Sequence, residues 1–538
     1  PLEPHYICPK CHNLKFTDQL DKYDTGFDMP DRVCEKCGTD MNKNGLNIPF
    51  ATFLGFNGDK EPDIDLNFAG EYQPIAHKFV GEIFGEENIF KAGTVATIAE
   101  KTAFGYVKKY EENTGKSFSN SEELVLANGC TGTKRTTGQH PGGIIVVPAD
   151  REIFEFCPVQ KPANNRDAEF ITTHFDYHKI DKNLLKLDIL GHDVPQMIRH
   201  LQDMTGVDPL GIDIADKKTL SIFTSIDALN IVNPDDYEFK HGTYGIPEFG
   251  TNFTRGMLDA IKPKTISALI KISGFSHGTD VWTNNAEDLI KNGVATIDEL
   301  ISCRDDIMNY LMIKGVDKSN AFKIMEAVRK NKELKQEELD IMKEHGVPDW
   351  YVESCRTLKY LFPRAHAAAY VMMALRMAWF KVYYPSAFYC AWLSTKIDNF
   401  DVNVARGGVE AAKAALSSLN SEDDDTSAAK KKELKVVYEV IYELLSRGCE
   451  FSLPELGVSD PCMFNVVDDK IKIPFMAVSG VGRSAAISLA EAYKEGPFLS
   501  IDEVQRKTKL SSTNIEDLKA CGVFYELPDS AQVSIFDM

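Results

Sequence analysis

The spacing of four cysteines constrains this chain more than any other feature. CPKC supplies Cys8 and Cys11, CEKC supplies Cys34 and Cys37, and the arrangement reads C-x2-C-x22-C-x2-C. Each pair suits a tight turn that aims two thiolates at one point, and four thiolates make a closed tetrahedral zinc site with no position left for substrate. The predicted zinc is therefore structural; four unmetallated thiols are the plainer alternative. The remaining eight of twelve cysteines are scattered. With no secretory leader they read as reduced core thiols of a cytoplasmic protein.

A second constraint is acidic. EPDIDLNF, residues 61–68, reads as a strand with Asp63 and Asp65 on one face and Ile64 and Leu66 on the other. Taken alone, D-x-D also suits the wet side of a surface strand. NLLKLDILGHD, residues 183–193, alternates Leu185, Leu187 and Ile189 with Lys186 and Asp188. An apolar strand thus carries one acid on its opposite face, where burial is costly unless the acid is paired or bound to a cation. Three carboxylates on two adjacent strands are what a two-metal site needs, with cations about 4 Å apart. One cation activates a 3′-hydroxyl and the other steadies the leaving oxygens of a triphosphate. Magnesium suits the role because it takes oxygen ligands and keeps positions open for phosphates and water.

A chain of 538 residues exceeds one ordinary core, so several domains are expected. The net charge of −20 argues against a broadly basic nucleic-acid surface. A local basic groove or bound cations can still reverse the potential where it matters. No apolar run is long enough to span a membrane. The opening PLEPHYICPK has neither an initiator methionine nor a leader, which reads as a piece of something longer.

Several segments resemble, in order, the C-terminal part of the PolC-type bacterial replicative DNA polymerase III alpha subunit. They are CPKC with CEKCG, NIPFATFLGFNGDKEPDIDLNFAGEYQ, GTKRTTGQHPGGIIVVP, FDYHKIDKNLLKLDILGHD, YGIPEFGT, ISGFSHGTDVW, CRDDIM and LFPRAHAAAYVMMALRMAWFKVYYP. The similarity covers essentially the whole chain. The sister alpha-subunit class usually has an acid where Asn67 stands and lacks the four-cysteine ribbon, so both features favour the PolC type.

The resemblance implies an α+β multidomain chain with a polymerase-beta-like nucleotidyltransferase palm built on a mixed sheet, a helical thumb and fingers, a zinc ribbon and a C-terminal helix-hairpin-helix region. The implied boundaries are 1–50 for the ribbon and palm entry, 51–92 and 141–205 for the palm, 93–140 for the thumb and 206–395 for the fingers. Residues 396–460 form a linker or helical connection, 461–525 the helix-hairpin-helix duplex-binding region and 526–538 a clamp-binding tail. The family's catalytic aspartates map onto Asp63, Asp65 and Asp188, and the implied reaction adds deoxynucleotides to a primer 3′ end on a template, releasing pyrophosphate. Family members also carry, upstream of this start, a glycine-serine loop for the incoming triphosphate and a proofreading 3′–5′ exonuclease. The implied setting is the bacterial cytoplasm, at the nucleoid during replication, among other replisome subunits.

Further candidates follow along the chain. The mostly polar, helical stretch 93–115 offers Lys101, Lys108 and Lys109, and the next segment Lys134, Arg135 and His140, to DNA phosphates. Gly142 and Gly143 permit close backbone approach, and a plain turn entering the strand IIVVP explains them too. Arg304, Lys359, Arg364 and His366 are candidates for the triphosphate, since guanidinium geometry matches phosphate oxygens. Surface ion pairs and a packed or capping histidine explain them equally. An acidic block and a lysine block in 420–435 read as a solvated connection and a helix start. Gly480 and Gly482 in FMAVSGVGRSAAISLAEAY suit a helix-hairpin-helix turn that offers backbone N–H groups to a phosphate, and ACGVF, 520–524, suits a second. In the tail, Gln532, Ser534, Ile535 and Phe536 resemble the peptide by which bacterial polymerases hold the sliding clamp, with Ile in place of the usual Leu.

Two other classes compete with a polymerase. A non-catalytic DNA-binding scaffold would need no convergence of Asp63, Asp65 and Asp188, and a template-independent nucleotidyltransferase would need neither the hairpin region nor the clamp-like tail.

Overall fold

The computed structural model describes residues 2–20, 22–55, 64–161, 167, 170–180, 183–419 and 427–530. The chain forms two compact units, one of Asn57–Gln196 and one of Pro1–Phe56 with Met197–Met538.

The second of these units begins with a small sheet in which β1 (His5–Ile7) lies between β2 (Leu14–Phe16) and β3 (Asn42–Asn44), antiparallel to both. Each cysteine pair closes a tight turn. Cys8 N–H donates to Asn13 O at 2.9 Å and His12 N–H to Cys8 O at 3.0 Å, while Cys34 N–H donates to Thr39 O at 2.8 Å and Gly38 N–H to Cys34 O at 2.9 Å. One residue past the second cysteine of each pair, His12 and Gly38 turn the chain back at φ of 56° and 70°. The local core is only Tyr6, Cys8, Met29, Cys34 and Met41. Cores this small usually need a metal or other staple.

The unit Asn57–Gln196 is a six-stranded mixed sheet built from β4 (Ile64–Ala69), β5 (Ile89–Thr97), β6 (Lys134–Val146), β7 (Val159–Gln160), β8 (Thr172–Asp176) and β9 (Leu185–His192), in the order β4-β9-β6-β5-β8-β7. Alternation sends Ile89, Ile144, Leu187 and Ile189 to one face, where the helix Gln73–Phe84 covers them with Ala76 and Val80. Phe90, Ala92, Ile145, Val147 and Leu184 pack on the other. The expected polar helical stretch proves to be the end of β5 followed by two helices, Glu100–Thr114 and Asn120–Cys130, which pack on each other through Ala103, Val107 and Ala127. Gly142 and Gly143 lie inside β6 rather than in a turn before it. A Cβ on Gly142 would meet Ile189 O at 2.7 Å, so glycine lets the two strands approach.

Residues 206–395 are helical with no strand among them, in keeping with the sequence. The alanine-rich helix Arg364–Tyr383 runs through their interior, burying Val371, Leu375 and Phe380. The expected linker or helical connection 396–460 is largely helical among its described residues. It holds the helices Gly408–Ser418 and Ala428–Ser446, and the latter buries Val437, Val440, Ile441 and Leu444. Its lysine run is an exposed first turn capped by Ser427, and the charge there hid the apolar periodicity that follows. After a small sheet of β10 (Phe451–Ser452), β11 (Asn465–Val467) and β12 (Lys470–Lys472), three helices complete the described chain: Arg483–Lys494, Ile501–Lys507 and Ser512–Ala520.

Candidate active site and metal centre

Asp65 on β4 and Asp188 on β9 are register partners in a parallel pair, so their side chains leave the sheet on one face. Asp65 is exposed. Lys186 shares the face of Asp188 and donates to its Oδ2 at 2.8 Å, with the ammonium 4.8 Å from the Tyr177 ring centre. Asp188 Oδ1 is buried and has no hydrogen-bond partner among the described residues. A buried acceptor left without a donor is costly, and an oxygen-seeking divalent cation would satisfy it. Asp63, the third acid of the expected triad, lies outside the described residues.

His140 stands beside this pair, its Nδ1 3.6 Å from Asp188 Oδ1. That nitrogen also accepts the Gly143 N–H at 2.7 Å, so its lone pair faces the backbone and the ring does not donate from Nδ1 to the carboxylate. Burial, and then the Lys186 ammonium, hold the imidazole pKa below its ordinary value. Gly143 is the register partner of Asp188. A Cβ there would come within 2.9 Å of His140 Nδ1 and 3.0 Å of Lys186 Cε, so the glycine makes room for both side chains.

Behind the sheet, three polar groups absent from the sequence-based candidates hold the backbone of the same strands. Gln73 Nε2 donates to Ile189 O at 2.7 Å. Lys91 Nζ lies 3.0 Å from His77 Nδ1 and donates to Pro141 O at 3.3 Å. Desolvation lowers the Lys91 pKa to about 8, and desolvation together with the Lys91 charge lowers that of His77 to about 4. The signal was present in the sequence as a lone lysine inside the apolar strand IFKAGTV.

The four cysteines converge as their spacing predicts, with ligand sulfurs all within 4.8 Å of one another. Cys8 and Cys37 Sγ are 3.4 Å apart, and Cys11 and Cys34 Sγ 3.6 Å. Hydrogen bonds from Thr39 bring the Cys37 thiol down to about 6, and the Lys36 amide first among several groups lowers Cys34. Cys11 ends at about 12, the Asn13 amide lowering it but desolvation and the other three sulfurs pushing it up. Four crowded thiols cannot all ionise without a cation, and a bound metal ion such as zinc would supply that charge. The donor set and its spacing fit the metal.

The expected triphosphate residues are not presented together. Arg364 is 3% exposed and its guanidinium is committed to Asp24, with contacts of 2.7 and 3.0 Å, and to Asp306 at 3.0 Å. Arg304 is also buried and donates to Thr52 O at 3.2 Å. Two carboxylates, invisible as partners in the sequence, claim the Arg364 guanidinium, and a backbone carbonyl takes that of Arg304. Lys359 is exposed and pairs with Asp280 at 2.7 Å. His366 packs among Phe362, Tyr370 and His277, with ring centres 4.5 to 5.7 Å away.

Of the DNA candidates, Lys108 is tied to Glu123 at 2.7 Å and Glu111 at 3.2 Å, whereas Lys109, Lys134 and Arg135 are exposed. Gly480 has φ of 77°, and Gly482 precedes the first turn of Arg483–Lys494. Gly522 has φ of 85° at the second expected hairpin. Gln532, Ser534, Ile535 and Phe536 lie outside the described residues.

Three family models match the chain. Residues 36–125 and 107–191 match the bacterial DNA polymerase III alpha NTPase domain, 194–347 the bacterial DNA polymerase III alpha subunit finger domain, and 448–532 a helix-hairpin-helix motif. A protein of Caldanaerobacter subterraneus named DNA polymerase III PolC-type is 50% identical over 536 residues, covering 100% of this chain and 38% of its own length. Proteins of the same name from Oceanobacillus iheyensis and Thermotoga petrophila are 50% and 48% identical, with 100% of this chain matching 37% and 39% of theirs. The chain thus spans less than two-fifths of the length of these curated relatives.

Proposed function

The chain belongs to the PolC-type family of bacterial DNA polymerase III alpha subunits, and on that premise we propose that it carries the polymerising centre of a DNA-templated, replicative DNA polymerase. The observation that supports this most is the pairing of Asp65 with Asp188 in register, with one buried Asp188 oxygen left without a donor. Asp63, Asp65 and Asp188 hold two magnesium ions in this reading. Bound there, magnesium supplies Lewis acidity for a primer 3′-hydroxyl and for the oxygens of departing pyrophosphate.

The chain's own residues prepare that centre. Lys186 balances part of the negative charge when no cation is present, and the neutral His140 ring adds no competing charge beside Asp188. Gln73, His77 and Lys91 fix the strand backbone from behind, which limits the motion of both carboxylates. The sheet of Asn57–Gln196 acts as palm, its two inserted helices as thumb, and 206–395 as fingers.

Lys109, Lys134 and Arg135, with the amides near Gly480 and Gly482, meet duplex phosphates without reading sequence. Lys108 joins them only by leaving its two glutamates. Lys359 and His366 face the incoming nucleotide in this reading, while Arg304 and Arg364 hold the frame around it. Zinc in the four-cysteine ribbon is structural. Gln532, Ser534, Ile535 and Phe536 dock on the sliding clamp, which turns re-association with a primer end into an intramolecular event. The intact protein also proofreads through an upstream 3′–5′ exonuclease and works in the bacterial cytoplasm at the nucleoid, with other replisome subunits. Among the described residues no helix is long and apolar enough to cross a membrane.

Primer extension by the full-length protein tests the centre. Asp63→Ala and Asp188→Ala should each abolish extension while leaving primer-template binding in place, and undiminished extension in either variant overturns the assignment.

A further inference from the structure

Between the second and third cysteines the chain makes an excursion in which two acids, Asp24 and Asp28, turn to helices of the segment 206–395. Asp28 accepts the backbone N–H groups of Ile266 and Ser267, both at 2.8 Å, and so caps the helix Ile266–His277. Asp24 holds Arg364, the first residue of Arg364–Tyr383, through two guanidinium nitrogens. Asn47 O, past the fourth cysteine, accepts from both Arg364 and Asn309. Arg364 and Lys271 meet again on Asp306, at 3.0 and 3.8 Å. Two helices of the finger segment are therefore tied to one short loop of the ribbon, and Asn309, in the helix Arg304–Ile313, is tied to Asn47.

That loop is shaped by the cysteine site on one side and by backbone bonds to the stretch after the fourth cysteine on the other, Gly26 N–H donating to Gly45 O at 2.9 Å and Asn47 N–H to Asp24 O at 2.8 Å. Met29, next to Asp28, is 2% exposed and packs with Cys8 and Cys34. Tyr6 Oη donates to Pro30 O at 2.8 Å. Gly26 lies so close to β3 that a Cβ would sit 1.8 Å from Asn44 O. One peptide bond separates a side chain resting on the ligand sulfurs from the carboxylate that caps a helix. Parting the four thiols removes the packing of Met29 on Cys8 and Cys34 and so loosens the register of Asp28.

We propose that the four-cysteine ribbon is a brace, in which metal binding sets the position of the finger helices Ile266–His277 and Arg364–Tyr383 through the positioning residues Asp28 and Asp24. The proposal rests on the zinc reading above, and it gives that metal a role in holding the nucleotide-facing helices as well as in folding the ribbon.

Amide hydrogen exchange on the full 538-residue chain tests it, with zinc content measured in parallel. Stripping zinc with a chelator should speed exchange at Ile266 and Ser267 about tenfold or more, as expected when charge-assisted hydrogen bonds are lost. Exchange in the distant helix Arg483–Lys494 should stay unchanged, which separates a brace from global loosening. Asp28→Ala should reproduce the effect with zinc still bound, and Asp28→Asn, which keeps an acceptor oxygen, should restore part of the protection. Zinc that is held, but whose removal leaves Ile266 and Ser267 protected, overturns the brace alone. A chain that holds no zinc overturns the metal reading and the brace with it. Equal acceleration in Arg483–Lys494 also overturns the brace.

Discussion

Lys91 and His77 meet behind the sheet with 3.0 Å between ammonium and imidazole, and the nearest other polar group is the carbonyl of Pro141. A cation is thus kept among Ile89, Ile144, Leu187 and Ile189. The folded pKa of Lys91 is about 8 against an ordinary 10.5, so between these values the unfolded chain binds the extra proton and stability rises with pH. After allowance for residual screening the gain is about 2 kcal/mol. Denaturant titrations at both ends of that window should show the rise in the wild type and lose it in Lys91→Met.

Asp306 behaves in the opposite sense. Burial raises its pKa, but Lys271 and Arg364 outweigh burial and bring it down to about 2 from 3.8. The stabilisation is complete above the unfolded value and disappears as pH falls through the folded one, amounting to about 2 kcal/mol. Asp306→Asn at neutral pH leaves two buried cations short of an acceptor and should cost about 3 kcal/mol. Urea midpoints at neutral and acid pH read both effects. A variant as stable as wild type at neutral pH would show that the pair contributes nothing.

Lys381 and Glu443 pair at 2.5 Å with neither side chain exposed to water. Tyr389 donates to the same carboxylate at 2.7 Å, and Lys381 also donates to Gly242 O at 2.8 Å. Removing one charge should be worse than removing both. Lys381→Met alone is expected to cost about 3 to 5 kcal/mol, while Lys381→Met with Glu443→Leu recovers much of it. A double-mutant cycle by thermal or chemical denaturation checks this, and strict additivity would contradict it.

Lys186 competes with cations for Asp188. Lys186→Met should lower the magnesium concentration for half-maximal primer extension by the full-length protein several-fold, because one positive charge at 2.8 Å is gone. An unchanged magnesium requirement would mean that Lys186 does not face the bound ions.

The features legible in the sequence were those written in local spacing. The cysteine pairs found one another because each turn is set within five residues, and Asp188 stood out as a lone acid in a strand. Its partnership with Asp65 was anticipated, whereas the parallel register that makes it geometric depends on strand order. Arg364 was misjudged for a related reason. Its charge suggested phosphate, but its partners Asp24 and Asp306 lie far away in sequence, and no local pattern marks such a pair. The lysine block within 420–435 read as a helix start and a helix begins at Ala428, but its buried face shows only from Val437 onward. For Gly142 the sequence left close backbone approach and a turn both open, and the structure shows the close strand approach.

The Asp24–Arg364 pair spans 340 residues of chain. During synthesis at roughly 5 to 20 residues per second, the ribbon therefore leaves the ribosome about 20 to 70 s before its partner helix exists. Asp24 and Asp28 wait in water through that interval, and their helices find an anchor already made. The order of biosynthesis makes the first fifty residues a template for a helix completed far later.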